Sequence, residues 1–344
     1  MSISRSKFVN SFASVVSLIS GHFKNLLPDP AVAEPCLQRI VQVLDYNVPG
    51  GKHARALHLI STFDALTADR PLSFVPDHKV YTLAWALEIM QAFLLIADDI
   101  VDKGQIRRGK PCWHRLPEVG LSAVNDLLLL ETSIDSLIEH EFKSHPHFTA
   151  VVLALQRARQ VTVLGQMMDT ESTRMPVETF SDHMYNAIVT NKTSHYSFYL
   201  PVQLALILSD RTDLLNASRA LCFDLGYYFQ AQDDYLDCFG NPAVTGKIGT
   251  DIQEGKCTWP LITALRILTS NPTDIAQLKE NLGKGDSEAE LVRELYVKAE
   301  VPKQFNFFEV EQRRKLEESV NRYPSANLRP VFANMLESLY KRTK

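Results

Sequence analysis

Asp98-Asp99-Ile100-Val101-Asp102 and Asp233-Asp234-Tyr235-Leu236-Asp237 are two acid clusters of the same form, Asp-Asp-x-x-Asp, each at the end of an apolar run (Ala92 to Ala97; Leu225 to Phe229). On a helix the first and last acid of each cluster stack one turn apart on one face. Like charges at that spacing repel by roughly a few tenths of a kcal/mol on an exposed helix, and by more where apolar surroundings screen less. Something positive is needed between them. Carboxylate oxygens without His or Cys neighbours suit a hard cation, and Mg²⁺ typically binds through one or two carboxylates plus substrate phosphates. Basic residues follow both clusters: Arg107-Arg108 after the first, Lys247 and Lys256 after the second. A multiply charged anion, a diphosphate held by several metal ions, is the economical partner for that alternation. The bland alternative is a pair of solvated acidic helix ends, the usual fate of a charge run. It leaves the repetition, each time with basic followers, unexplained.

A second anion site is legible at Gly50-Gly51-Lys52-x-x-Arg55. Lys52 and Arg55 at i,i+3 share one face of a helix that begins just after the Gly-Gly turn, and its N-terminal amides would add to anion binding. An exposed basic helix start is the alternative.

The bulk numbers set bounds. The chain has 344 residues, 45% hydrophobic and 22% charged, as is ordinary for a soluble globular protein. A net charge of -4 argues against broad nucleic-acid binding, so the basic residues act as local clusters. Five cysteines (Cys36, Cys112, Cys222, Cys238, Cys257) contain no Cys-x-x-Cys pair, which fits reduced thiols in an intracellular compartment better than a disulfide framework or zinc site. No apolar stretch is expected to reach membrane-span length. The first 28 residues hold Arg5, Lys7 and Lys24 without an acid, faintly like an organelle-targeting peptide. Phe8, Phe12, Val15, Val16 and Ile19 nevertheless fall at helical spacing, so a first helix of the folded body and a cytoplasmic location are expected, with a mitochondrial form as the alternative.

The elements that must position these residues are helices nearly everywhere. Helical patterning covers Glu34 to Tyr46, Lys52 to Thr67, His78 to Val101, Ser122 to His140, Phe148 to Thr170 and Val177 to Tyr199. It continues over Leu214 to Cys238, Cys257 to Leu268, Asp286 to Val301 and Leu328 to Arg342. Turn signals such as Pro49-Gly50-Gly51, Gly109-Lys110-Pro111 and Gly240-Asn241-Pro242 punctuate it. No repeat, low-complexity segment or linker is visible, so one all-α domain over residues 1–344 is the simplest account.

Taken together, Gly50-Gly51-Lys52-x-x-Arg55, Asp98 to Arg108, Gly165-Gln166-x-x-Asp169, Lys192-Thr193 and Gln230 to Lys256 resemble the short-chain trans-prenyltransferases, and among them the eukaryotic farnesyl diphosphate synthases. The resemblance runs from about Phe8 to the C-terminus and implies an isoprenoid synthase-type bundle of about ten helices around a central cavity. It implies Mg-dependent prenyl transfer: isopentenyl diphosphate condenses with dimethylallyl and then geranyl diphosphate to give farnesyl diphosphate. By resemblance Asp98, Asp99, Asp102, Asp233, Asp234 and Asp237 hold several Mg²⁺ ions, with Mn²⁺ as a substitute, and Asp169 supports the first metal site. Arg107, Lys192, Lys247 and Lys256 match the allylic diphosphate clamps. Lys52, Arg55, Gln91, Arg108, Tyr196 and the C-terminal Arg342 match the isopentenyl diphosphate site. Thr193 and Gln230 point dipoles at the allylic cation, while Phe93 and Leu94 form the floor that measures chain length. The family also implies a homodimer.

The chain departs from the family pattern in places. Leu94 stands where many animal farnesyl synthases have a second Phe beside Phe93. Asn191, Ser194 and His195 replace aromatic or small apolar residues around Lys192-Thr193; Ala54 replaces an Asn and Thr343 an Arg. Two other activities fit the same motifs: a terpene synthase that ionises one prenyl diphosphate without an acceptor, and a geranyl or geranylgeranyl diphosphate synthase.

Overall fold

The structure, a computed structural model, describes residues 3–27, 29–68, 77–241 and 249–340. In chain order the helices are α1 (Ile3–Asn10), α2 (Phe12–Leu26), α3 (Pro30–Asn47), α4 (Ala54–Thr67), α5 (Asp77–Val101), α6 (Ala123–Phe142) and α7 (Phe148–Ser172). They continue as α8 (Asp182–Val189), a π-helical stretch (Thr190–Tyr199), α9 (Leu200–Leu208), α10 (Leu215–Phe239), α11 (Asp251–Glu254) and α12 (Trp259–Leu268). The last are α13 (Pro272–Asn281), α14 (Asp286–Lys298), α15 (Val301–Asn321) and α16 (Arg329–Tyr340). Among the described residues the only strands are β1 (Ile106–Arg107) and β2 (Lys110–Pro111), a minimal antiparallel hairpin. The all-α expectation holds. The segmentation is finer than about ten helices: α9, α11, α13 and α15 form outside the predicted runs, and Val177 to Tyr199 divides into α8 and the π-helical stretch.

The described residues form two compact units, 1–156 with 201–215, and 157–200 with 216–344. In the first, α5 is the spine. Leu83, Ala84, Ala86, Leu87, Ile89 and Met90 are at most 1% exposed, so this helix is apolar around its whole girth, as a helix packed on several sides must be. The sequence predicts no stretch of membrane-span length, and α5 corrects that. His78–Val101 is long and apolar enough, yet 78% of its most apolar window is buried within the fold, as befits a core helix. Trp85 stacks on Phe8 at 4.3 Å between ring centroids and donates its indole N–H to the Phe8 carbonyl (3.1 Å), docking α1 onto α5.

The second unit centres on a cluster that includes Tyr185, Trp259, Tyr296 and Phe305, with α10 running beside it. Tyr235 stacks on Phe305 at 3.9 Å, tying the second acid cluster to α15. Beyond Val301 the sequence reading places no helix before Leu328. The α15 helix forms there nonetheless. Glu300, left-handed at φ 52°, ends the preceding run, Pro302 sits in the first helical turn, and i,i+4 pairs (Arg313–Glu317, Arg314–Glu318) line the outside.

Candidate active site

The first acid cluster ends α5. The Asp102 N–H closes the last turn onto the Asp98 carbonyl (2.8 Å), which sets Asp98 and Asp102 on one face. Lys103 then turns left-handed (φ 53°) while the Gly104 N–H reaches back to the Asp99 carbonyl at 2.9 Å, a helix stop of the Schellman type. The β1–β2 hairpin follows at once. Its two-residue turn, Arg108-Gly109, has both φ angles positive (55° and 74°), the geometry that matches the twist of paired strands. The hairpin swings Arg107 back onto the cluster. Its Nε donates to both Asp99 oxygens (3.0 and 3.3 Å), its Nη2 donates to Oδ1 at 2.5 Å, and Nη2 stands 3.5 Å from Asp98. Burial works against the Arg107 charge, but the Asp99 bonds and charge outweigh it and raise the guanidinium above its ordinary pKa. Asp99 is 5% exposed. The sequence groups Asp99 with the metal ligands and Arg107 with the phosphate clamps; the structure pairs them with each other.

Arg108, the other side of the same turn, seats its guanidinium on the loop before α4. Its Nη1 donates to the carbonyls of Asn47 (3.2 Å) and Pro49 (3.1 Å), beside Gly51. Desolvation lowers its pKa first; the Glu88 charge opposes this, while the charges of Arg55 and Arg107 add to the fall. Such crowding of cations favours an anion in their midst. An open cleft of about 530 Å³, solvent included, is bounded there by Gly50, Asp99, Arg107, Arg108, Tyr46 and Trp113.

Two details of the Lys52–Arg55 expectation are corrected. The helix opens at Ala54, because His53 is left-handed (φ 51°, ψ 39°), so exposed Lys52 precedes the helix and does not share a helical face with Arg55. Nor do all its first amides point at solvent: the Ala56 N–H donates to Glu88 of α5 at 3.0 Å. Glu88 was invisible as a functional residue, although an acid inside the run Leu83 to Met90 is itself a signal. Burial alone would raise its pKa, but the His53 ring 3.5 Å away, the Arg55 charge and the Ala56 N–H bring it below the ordinary carboxylate value. Gln91 is buried one turn further along α5, Phe93 is buried and Leu94 half-buried.

The second cluster lies near the end of α10. Asp234, 4% exposed, accepts from the Tyr185 hydroxyl (2.7 Å), the Trp259 N–H (3.0 Å) and the Gln230 amide (2.7 Å). Burial pushes its pKa up, to about 6, against the pull of those three donors, and the Asp233 charge adds to the rise. Here too the middle acid is bound into the fold. Asp237 accepts the Asp251 N–H at 3.0 Å, and half-exposed Asp233 stands on the same face one turn before it.

Between α8 and α9 the π-helical stretch carries Lys192, Thr193 and Tyr196, an irregularity frequent at functional sites. Lys192 Nζ donates to Asp169 Oδ2 at 2.5 Å, and the Thr193 hydroxyl donates to Gln230 Oε1 at 2.6 Å. Thr193, Gln230, Asp234 and Tyr185 thus form one hydrogen-bonded chain. Two glycines permit it. A Cβ on Gly165 of α7, one turn before Asp169, would lie 2.2 Å from the Lys192 nitrogen. A Cβ on Gly226 of α10, one turn before Gln230, would lie 2.3 Å from Ser194 Oγ and 2.6 Å from its Cα. Lys256, by contrast, is bound close to home, 2.6 Å from Glu254 and 3.6 Å from Asp251. Lys247 and Arg342 lie outside the described residues.

Among the described residues no three His, Cys, Asp or Glu side chains form a ready metal cage. Hard oxygen donors in pairs one turn apart, Asp98 with Asp102 and Asp233 with Asp237, fit an ion that completes its shell with water and substrate phosphate. This donor chemistry suits Mg²⁺ and not a softer metal.

The polyprenyl synthetase family model matches residues 37–299, most of the chain. The chain belongs to the polyprenyl synthetase family. It is 36% identical to farnesyl pyrophosphate synthase 2 of Cannabis sativa over 99% of both chains. It is 38% identical to farnesyl pyrophosphate synthase of Panax ginseng, over 97% of this chain and 98% of that one, and 35% identical to the Gallus gallus enzyme over 99% and 93%. In this polyprenyl synthetase the glycine contacts give a direct test. Gly226→Ala drives a methyl into the Ser194 backbone, and overpacking of that kind costs about 1–3 kcal/mol. We expect a folded protein with a lowered melting temperature and prenyl transfer reduced at least about tenfold, as Thr193 is pushed off Gln230. Unchanged turnover would mean that the Thr193–Gln230 pair is dispensable.

Proposed function

We propose that the chain makes farnesyl diphosphate, joining isopentenyl diphosphate to dimethylallyl and then geranyl diphosphate. The support is the near-full-length likeness to farnesyl pyrophosphate synthases together with Arg108 and Arg55 gathered at the Gly50-Gly51 turn, a pocket that only an acceptor diphosphate requires. A terpene synthase would have no use for it.

In this reading the allylic C–O bond breaks with its electron pair leaving on the diphosphate. The acceptor double bond then attacks the allylic carbon, and the new cation loses a proton to the departed diphosphate. Mg²⁺ ions on Asp98, Asp102, Asp233 and Asp237 would supply the charge that stabilises that leaving group. Asp99 and Asp234 take a different role from the one the motif gives them: they anchor Arg107 and Gln230. Lys192, held by Asp169, would supply a cation to the allylic diphosphate. The Thr193 and Gln230 oxygens offer dipoles to the cation, and Lys52, Arg55, Gln91 and Arg108 hold the acceptor.

Chain length follows from α5. Leu94 is one turn before Asp98, about 6 Å down the helix, so each turn accommodates roughly one isoprene unit. Phe93 keeps one ring at the floor and Leu94 leaves room beside it. Chromatography of dephosphorylated products should give a fifteen-carbon alcohol only when isopentenyl diphosphate is present. Phe93→Ala should lengthen the product and Leu94→Phe shorten or tighten it. Product released from the allylic substrate alone would overturn the transferase reading, and identical lengths in all three proteins would move the floor elsewhere.

We also infer that the enzyme is a homodimer. Val163, Leu164, Met167 and Met168 occupy successive turns of α7 and remain 37–57% exposed, an apolar face that a second copy would cover. Sedimentation equilibrium should report twice the 38.8 kDa chain mass; a monomer at micromolar concentration would reject the inference.

A further inference from the structure

The helix that carries Arg55 has no cap of its own. His53 at its N-cap position makes no side-chain capping bond, and the backbone there is held left-handed, a conformation that costs a non-glycine residue energy. The missing acceptor comes from another helix. Glu88 of α5, 3% exposed, takes the Ala56 N–H on Oε1 and faces His53 Nδ1 with Oε2 at 3.5 Å. The imidazole is boxed by aromatic edges, Phe8 at 5.6 Å and Trp85 at 5.3 Å, and Trp85 is in turn pinned by the Phe8 carbonyl and Ser11 Oγ. A buried carboxylate beside a pocket for an anion is otherwise unfavourable, since like charge repels the ligand. Its position is explained if it holds the pocket's walls.

We propose that Glu88 and His53 are the positioning pair of the acceptor-diphosphate pocket, locking the Gly50–His53 turn and the first turn of α4 so that Arg55 is presented to the anion beside Arg108. The pair touches no substrate and acts through Arg55. The proposal rests on the prenyl-transfer reading. On α5 the residues Glu88, Gln91, Leu95, Asp98 and Asp102 recur every three or four positions and share one face. One helix therefore carries Glu88, which caps α4, and Asp98 of the first acid cluster about 15 Å further along its axis.

The test is calorimetric titration of isopentenyl diphosphate alone into the full-length protein, paired with KM values for both substrates. Glu88→Gln keeps an acceptor for the Ala56 N–H but removes the charge facing His53 and Arg55. We expect it to weaken isopentenyl diphosphate binding about 10-fold or more and to raise that KM alike, with the KM for geranyl diphosphate moving less than about 3-fold. His53→Asn, which tolerates the left-handed backbone, should act in the same direction and decides the matter if a Glu88 variant fails to fold. Binding by Glu88→Gln equal to wild type, or equal rises in both KM values, would overturn the pair. A wild-type protein that binds no isopentenyl diphosphate would instead overturn the prenyl-transfer reading.

Discussion

Adjacent carboxylates repel, and everything around both acid clusters follows from how the fold disposes of the middle one. In the first cluster Asp99 is neutralised by Arg107, delivered by a hairpin only a few residues further on. In the second, no cation among the described residues is bonded to Asp234. It is held by a phenol, an amide and a backbone N–H, and burial leaves its pKa near 6. The outer acids of each cluster then stand one turn apart on a helix, a spacing that suits bridging cations better than mutual contact. The two solutions differ in chemistry and arrive at the same arrangement.

Backbone conformation carries much of the cost. Lys103 and Arg108 are left-handed so that a long helix can stop and return within ten residues, and His53 is left-handed where α4 begins, just after the loop on which Arg108 sits. Residues other than glycine persist in that region only when their surroundings fix them. Here the fixing contacts are the Arg107–Asp99 and Arg108–Pro49 bonds and the Glu88 cap. In the second unit the compensation is by omission, where Gly165 and Gly226 clear space for the π-helical stretch to approach. Strain and close approach concentrate around the residues to which chemistry is assigned, in keeping with preorganised sites.

Most of the fold was legible because α5, α7 and α10 are long apolar-rich runs free of proline, bounded by charge or turn residues. The α15 helix was not, since its buried residues Val301, Phe305, Leu316 and Val320 are widely spaced among exposed charged residues. The site residues were legible as a set, because acid pairs and basic followers at fixed spacing have few other uses. Their division of labour was not. Spacing cannot tell Asp98 from Asp99; only the return of Arg107 through the β1–β2 hairpin does so, and that depends on a two-residue turn. Glu88, Tyr185 and the Trp259 N–H belong to no motif and were found only through their bonds to His53's helix and to Asp234.

The central claim is that the outer acids serve metal-assisted departure of a diphosphate while the middle acids serve the fold. Its most direct measurement is prenyl transfer by chelator-treated protein titrated with Mg²⁺, for wild type and for Asp98→Ala. The account predicts no turnover without the ion, full recovery on its return, and in the variant a loss of about 10²–10³ or more with the helical circular-dichroism signal intact. Near-normal turnover in chelator, or in Asp98→Ala with Mg²⁺, would contradict it.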